Sequence, residues 1–504
     1  MGQTVSTLTY RGGMLRRLAA SVAAALVAVS VAALPARADD PLSVYYDQEL
    51  TWEKCSGGLE CSWLTVPLDY ADPSGSTIRI RVSRKAATGP ERRGSLVVNP
   101  GGPGMGGVSL PSYLSNVLSP RVKQAYDIVG FDPRGTGESS PISCLTGPET
   151  TRLYAFDATP DTAAERATLM DLAAGIARGC LKRSPEIARH VGTEDTVRDL
   201  DILREALADD KLNWLGYSYG TAMGAMYAER FPDRVGRFVL DGAVDLSFDA
   251  LQTSHVQNDG FQRAITRFAR DCVHRANCPY SGDYRHVLRG MSSLLDHLES
   301  QSLDGYYGPV GESEAITAIF YSMYSPDRWR FLRRALVQAE RGNGEGLSWL
   351  SDSSTQRTGK NSYAGNMASA FPAISCWDSG GRPTFSQLRA AATAWQRTSA
   401  IPQVAQALAW SNAACTHWYG QAERGPGPVS STTPAPILII GTTYDPATPY
   451  SEARSLARQL PTSRLLTYVG DGHTAFLTGS TCIDNAVTTY LVDGILPSTG
   501  THCR

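Results

Sequence analysis

The stretch Leu212-Asn213-Trp214-Leu215-Gly216-Tyr217-Ser218-Tyr219-Gly220-Thr221 decides how the chain is read. Leu212 to Leu215 is a short apolar run that ends at a glycine, the pattern of a buried strand. A helix is expected over Thr221 to Arg230. Gly216, Ser218 and Gly220 lie between the two and fit G-x-S-x-G. That pentapeptide is weak evidence alone, because glycine and serine are common residues. Its placement strengthens it: a strand, a tight turn and a helix are what a nucleophilic serine needs to project from a sheet. Small glycines allow the sharp turn and leave the Ser218 hydroxyl at the sheet's edge, where it can attack a carbonyl.

Outward from this turn, strands alternate with helices. Thr77 to Ser83 alternates as a strand does, and Ser95 to Val98, Tyr126 to Phe131 and Arg237 to Leu240 are further short apolar runs. Thr196 to Leu207 places Val197, Leu200, Leu203 and Leu207 on one helical face. Two more strands follow near the C-terminus, Pro436 to Ile440 and Leu465 to Val469. Such alternation implies a mostly parallel sheet with helices on both faces. Residues 247–430 read differently. Phe261 to Cys272, His286 to Leu298 and Trp329 to Glu340 are amphipathic helical segments, and Gly425 to Pro436 looks like a linker back to the sheet. Because strands resume afterwards, this is a helical cap inserted into one sheet domain, whose two parts are residues 39–246 and 431–504.

A serine hydroxyl needs a base to take its proton, and that base needs an orienting acid. On a sheet of this kind the acid precedes the histidine in the chain. Asp445 follows the strand Pro436–Ile440 and His473 follows Leu465–Val469, both in loops at C-terminal strand ends. Of the eight histidines only His473 has such a position. Negative charge developing on a substrate oxygen needs N–H donors. The Tyr219 N–H is expected to be one. The other is expected in the loop Asn99-Pro100-Gly101-Gly102-Pro103-Gly104, from Gly102 with Gly101 as the alternative.

Composition narrows the function. The chain is 42% hydrophobic and 19% charged, which excludes a disordered or fibrous protein. Its 47 Lys and Arg against 49 Asp and Glu give a net charge of −2, with no basic block in the body of the chain, so nucleic acid is not an expected partner. Arg11, Arg16 and Arg17 precede an apolar run from Leu18 to Leu34, and Ala36-Arg37-Ala38 forms an A-x-A cleavage signature. The run is short for a membrane span of about 20 residues, so residues 1–38 are expected to be a cleaved signal peptide of a secreted protein, without a stable membrane anchor. The Arg pair leaves the export route open.

All ten cysteines follow the cleavage site, an even number as disulfides in an oxidising compartment require. The simplest of about 945 pairings joins sequence neighbours: Cys55–Cys61, Cys144–Cys180, Cys272–Cys278, Cys376–Cys415 and Cys482–Cys503. There is no C-x-x-C or H-E-x-x-H, and no metal site is expected. Gly102, Gly104 and Gly107 fit the dinucleotide pattern G-x-G-x-x-G, but Pro103 interrupts the loop and an exported protein has little access to NAD. No cofactor is expected. Asp378-Ser379-Gly380-Gly381 resembles the serine-containing loop of trypsin-like proteases but stands in a helical context, so it is set aside.

Several segments together carry a family resemblance: NPGGPG (99–104), GFDPRGTGESS (130–140), DTVRDLDILREAL (195–207), GYSYGT (216–221), GTTYDPATP (441–449) and GDGHTAF (470–476). With CSWLTVPLDYADPSG (61–75), YSPDRWRFLRRAL (324–336) and AISCWDSG (373–380), they resemble the secreted tripeptidyl aminopeptidases. These are α/β-hydrolases related to prolyl aminopeptidases and typical of actinomycetes. The likeness covers nearly all of residues 50–504. It implies Ser218 as nucleophile, Asp445 as acid and His473 as base. Simpler prolyl aminopeptidases usually carry His before the Gly-Gly-Pro-Gly loop, where this chain has Asn99-Pro100, a departure that favours the tripeptidyl branch.

The expected function is release of short peptides from free N-termini by an exported, monomeric serine exopeptidase. A cap carboxylate would hold the substrate ammonium. Asp378 is the first candidate, and Asp245, Glu312 and Glu314 are the others. Secreted ester hydrolases share the same pattern, so an esterase using the same three residues is the alternative, with a prolyl aminopeptidase beside it.

Overall fold

The computed structural model describes residues 40–379, 381–422 and 427–504. The expected signal peptide with its cleavage site, Gly380, and the start of the Gly425–Pro436 linker lie outside the described residues.

Among the described residues ten strands form one sheet. They are β1 (Glu53–Cys55), β2 (Leu59–Pro67), β3 (Thr77–Lys85), β4 (Ser95–Asn99), β5 (Asp127–Phe131), β6 (Leu212–Tyr217), β7 (Val235–Asp241), β8 (Ile437–Tyr444), β9 (Ser463–Asp471) and β10 (His502–Cys503). Their order is β1-β2-β3-β5-β4-β6-β7-β8-β9-β10. The first three strands and β5 pair antiparallel, and every pair from β5 to β10 is parallel. β3 keeps Ile78, Ile80 and Val82 buried, while Arg79 and Arg81 lie on the other face over the ring of Trp63. β4 and β5 are buried throughout, as strands covered on both faces must be.

Alternate residues of the parallel strands feed two cores. Val97, Val129, Trp214, Phe238 and Ile439 pack on one face with Leu200, Leu203 and Tyr227. These last belong to helices α1 (Thr193–Ala206) and α2 (Tyr219–Arg230). Leu96, Val98, Leu215, Val239 and Ile440 pack on the other face with Leu114, Tyr490 and Leu491. Between β7 and β8 the chain is mostly helical. This cap includes α3 (Ala250–Cys272), α4 (Tyr284–Ser300), α5 (Glu312–Met323), α6 (Trp329–Ala339) and α7 (Met367–Asp378), and it has a core of its own around Phe268, Leu295, Ile319 and Leu332.

Each strand expected from an apolar run is present, but several extend further. The run Pro436–Ile440 becomes β8 because Gly441, Thr442 and Tyr444 continue the ladder with β9 despite their polarity. The nine-residue β2, the short pieces β1 and β10 and the helix Ala163–Arg183 go beyond the elements expected from the sequence. The five disulfides join the sequence neighbours, and there is no free cysteine. Among the described residues no helix is long and apolar enough to cross a membrane.

One buried cation ties the sheet to its helical layer. Arg134, in the loop after β5, has no solvent exposure. Its Nε and Nη2 donate to the two oxygens of Asp199 on α1 at 2.8 and 2.7 Å. The other three donors reach the carbonyls of Pro67, Leu68 and His190 at 2.9 to 3.0 Å. All five guanidinium N–H groups are thus satisfied. Replacement by methionine, Arg134→Met, would leave the buried Asp199 carboxylate and three carbonyls without this donor. Loss of one partner from a buried pair costs about 3–5 kcal/mol. Denaturant unfolding of the variant should show a loss of that size, and a loss under about 1 kcal/mol would contradict the role given to Arg134.

Candidate active site

Ser218 joins β6 to α2 with φ 53° and ψ −123°. A non-glycine residue in that region stores about 1–3 kcal/mol of strain and persists only where its surroundings impose it. Here they do. The Ser218 N–H donates to the Asp241 carbonyl at 2.8 Å, and the Thr221 hydroxyl donates to the Ser218 carbonyl at 2.6 Å. A side chain at Gly216 would put its Cβ 2.4 Å from the Gly220 carbonyl and from the indole nitrogen of Trp214. The turn can be this tight only with glycine at that position.

Two neighbouring strand ends supply the acid and the imidazole. Asp445 follows β8 and is 1% exposed. Its carboxylate accepts from the N–H groups of Ala447 and Thr448 at 2.9 Å and of Thr474 at 3.2 Å. His473 follows β9, with Nδ1 at 2.9 Å from both Asp445 oxygens. This contact keeps the proton on Nδ1 and leaves Nε2 as the basic nitrogen. Burial by itself would lower the His473 pKa. The charge and hydrogen bond of Asp445, with the charge of Asp241, outweigh burial and hold it above the ordinary histidine value. From the cap, Tyr324 sets its ring edge-on to the imidazole, with centroids 5.2 Å apart, and accepts the His473 N–H through its carbonyl at 2.9 Å.

Ser218 and His473 line one cavity of about 1430 Å³ between the strand ends and the cap. The Ser218 hydroxyl makes no hydrogen bond among the described residues. In free hydrolases this contact is often long and tightens with substrate. The loop after β4 lies against the turn: a Cβ on Gly101 would sit 2.9 Å from Ser218 Cβ and 3.3 Å from the Tyr219 nitrogen. The Gly101 N–H is already given to Asn99 Oδ1 at 2.8 Å. The N–H groups of Gly102 and Tyr219 have no partner among the described residues, so of the two glycines considered Gly102 is the one with a free donor. Its φ of 116° is open to glycine and strained for other residues. A serine, a buried imidazole–carboxylate pair and two free N–H donors can together attack a carbonyl and stabilise the resulting oxyanion.

Asp241, at the end of β7, escaped the sequence reading. Its carboxylate accepts the Ala475 N–H at 3.1 and 3.0 Å and the Phe476 N–H at 2.8 Å, so it fixes the loop that carries His473. Burial pushes its pKa up to about 7, against the hydrogen bonds and the His473 charge. An acid at the C-terminal end of the strand beside β6 was a signal available in the sequence.

Asp378, the last residue of α7, faces the cavity. The Thr193 N–H donates to it at 2.9 Å, and the Thr193 hydroxyl contacts both its carboxylate and the Tyr219 hydroxyl. Burial, and the charges of Asp195 and Glu194, push the Asp378 pKa up to about 7 against the Thr193 hydrogen bonds. The other cap acids stand differently. Asp245 reaches the cavity wall, but its carboxylate is taken by Ser247 and Gln459. Glu312 and Glu314 do not line the cavity. They bond to Thr159 and to the Gly311 N–H at the start of α5.

The fold and this arrangement define an α/β-hydrolase, and the alpha/beta hydrolase fold family matches residues 94–480. The chain is 34% identical to serine protease Hip1 of Mycobacterium tuberculosis over the whole of both chains. It is 33% identical to the tripeptidyl aminopeptidase of Streptomyces lividans, over 88% of this chain and 84% of that one. It is also 36% identical to carboxylesterase B of Mycobacterium tuberculosis, over 88% of this chain and 86% of that one. The chain belongs to the tripeptidyl aminopeptidase family of α/β-hydrolases, and it is a serine hydrolase.

The Asp241 contacts make a testable prediction. Asp241→Asn removes a negative charge that favours protonated His473. The acid limb of the kcat/KM–pH profile should therefore move to lower pH. The plateau should fall by about tenfold, as expected for a lost charge-assisted hydrogen bond of about 1.5 kcal/mol. A pH-rate profile with an unmoved acid limb would separate Asp241 from His473.

Proposed function

We propose that the protein is a secreted, monomeric exopeptidase that releases short peptides, tripeptides first among them, from substrates with free N-termini. In this reading His473 Nε2 takes the Ser218 proton as the hydroxyl attacks the scissile carbonyl. The N–H groups of Gly102 and Tyr219 hold the oxyanion. His473 then passes the proton to the departing amine, leaving the N-terminal fragment as an ester on Ser218. Water attacks that ester with His473 again as base, and Asp445 keeps the imidazole oriented through both steps.

The observation that carries the exopeptidase reading is Asp378. Its carboxylate lies on the wall of the cavity, joined through Thr193 to the tyrosine next to the nucleophile, and no cation pairs with it among the described residues. Nearby Glu194 is neutralised by Arg230 at 2.9 Å. A substrate ammonium would supply the charge Asp378 lacks, with charge-assisted hydrogen bonds. Five disulfides in a chain without free cysteine support export. The second reading is an ester hydrolase using the same three residues, favoured by the 36% identity to a relative named carboxylesterase B.

Two experiments test the proposal. Ser218→Ala should lower turnover of a tripeptidyl chromogenic substrate by about 10³-fold or more with the fold intact, and a loss under about tenfold would remove Ser218 from the chemistry. Acetylating the substrate N-terminus removes the partner of a buried carboxylate, a cost of about 3–5 kcal/mol, or roughly 10²- to 10³-fold or more in kcat/KM. Asp378→Asn should lose as much on the free peptide and little on a small acyl ester. Equal cleavage of free and acetylated peptides would favour the esterase.

A further inference from the structure

The wall of the cavity beside His473 is built by cap residues 321–328, and it carries a cation, Arg328, where the wall around Asp378 has none. Tyr324 sets its ring edge-on to the imidazole. The backbone from Tyr324 to Pro326 lies so close to Gly472 that a Cβ there would be 3.1 Å from the Tyr324 carbonyl and 3.2 Å from Pro326 Cδ. One turn further, Arg328 lies with its guanidinium carbon 3.9 Å from the centroid of the Tyr321 ring, and its Nη1 donates to the Tyr321 carbonyl at 3.0 Å. Among the described residues it is the one Lys or Arg that lines the cavity, and no carboxylate pairs with it. The neighbouring Asp471 is taken by Arg267 of α3, whose Nη2 lies at 2.8 Å. Asp327 also reaches the cavity wall, without an ion pair to Arg328.

The chemistry gives this position a meaning. The imidazole that takes the serine proton must hand it to the departing amine, so the leaving peptide lies on the His473 side of Ser218. A guanidinium held in place by an aromatic face, with most of its donors uncommitted, is suited to a carboxylate. We propose that Arg328 is a specificity residue that binds a carboxylate of the departing peptide. Resting on the exopeptidase reading above, it extends that reading to the leaving group. The carboxylate has two sources: the C-terminus of a short substrate or an acidic side chain at the first departing residue. An enzyme so equipped would draw its substrates from short or acidic products of endopeptidase cleavage.

The test uses the mature, disulfide-bonded protein and pentapeptides that share one N-terminal tripeptide. Each is offered with a free C-terminus or a C-terminal amide, and with Asp or Ala as the first departing residue. Wild type should favour a carboxylate-bearing leaving peptide over the neutral Ala amide by about tenfold in kcat/KM, the scale of one charge-assisted contact in a partly solvated site. Preference for the free terminus assigns the C-terminal carboxylate, and preference for Asp in the amides assigns the side chain. In Arg328→Gln the ratio should fall to near one, and Arg328→Lys should restore part of it. Because the readout is a ratio within one preparation, a general loss of folded enzyme does not alter it. A wild-type ratio near one on peptides that are cleaved, or a ratio unchanged in Arg328→Gln, overturns the assignment of Arg328 alone. If no pentapeptide is cleaved, the exopeptidase reading falls and this inference falls with it.

Discussion

Everything at the site depends on one residue that does no chemistry. Asp241 ends β7 between the strand that carries Ser218 and the strand that leads to Asp445. Its carbonyl takes the Ser218 N–H, and its carboxylate takes two N–H groups of the loop that holds His473. The nucleophilic turn and the imidazole loop are more than 250 residues apart in the chain. A single side chain and its own carbonyl bring their backbones into register. Parallel strands make this possible, because their C-terminal ends open on the same edge and loops far apart in sequence meet there. The cost is a carboxyl buried far enough for its pKa to rise to about 7, a desolvation that the hydrogen bonds only partly offset.

The cap completes the site with charges the sheet cannot supply. Asp378 ends α7 two residues after Cys376, whose disulfide to Cys415 ties that helix end to the following cap segment. Arg328 sits on the segment that sets Tyr324 edge-on to His473. The proposed amine and carboxylate sites thus meet the cavity from two parts of the cap, with Ser218 and His473 on the sheet beneath. A cavity of about 1430 Å³ is large for a single amino acid and fits a short peptide. Substrate length would then be read by charges on its two sides of the scissile bond rather than by one deep side-chain pocket.

Much of this was legible in the sequence, for identifiable reasons. Ser218, Asp445 and His473 stand at the ends of apolar runs, and parallel β-strands buried on both faces must be such runs. Their order in the chain narrowed the choice further. The disulfide pairing joins sequence neighbours throughout, including two pairs separated by 36 and 39 residues. Other features were hidden because they are relations in space. Asp241 reads as a polar strand end until its carboxylate is seen on the Ala475 and Phe476 N–H groups. Gly101 and Gly102 are equivalent in sequence, and only the Asn99 side chain, which occupies the Gly101 N–H, distinguishes them. Glu312 and Glu314 look as available as Asp378, yet Glu312 is taken by Thr159 and Glu314 by the Gly311 N–H at the start of α5. β2 alternates from Leu59 to Trp63 but changes phase at Leu64, which blurs its period, and the two residues of β10 carry none.

The central claim is that Ser218, activated through His473 and Asp445, forms the covalent intermediate. Reaction with a fluorophosphonate, followed by peptide mapping of the inactivated protein, tests it most directly. The account predicts one phosphonyl group per chain, on Ser218, with a labelling rate that falls as His473 becomes protonated at low pH. Full inactivation with the group on any other residue, or undiminished turnover by protein labelled at Ser218, would contradict it.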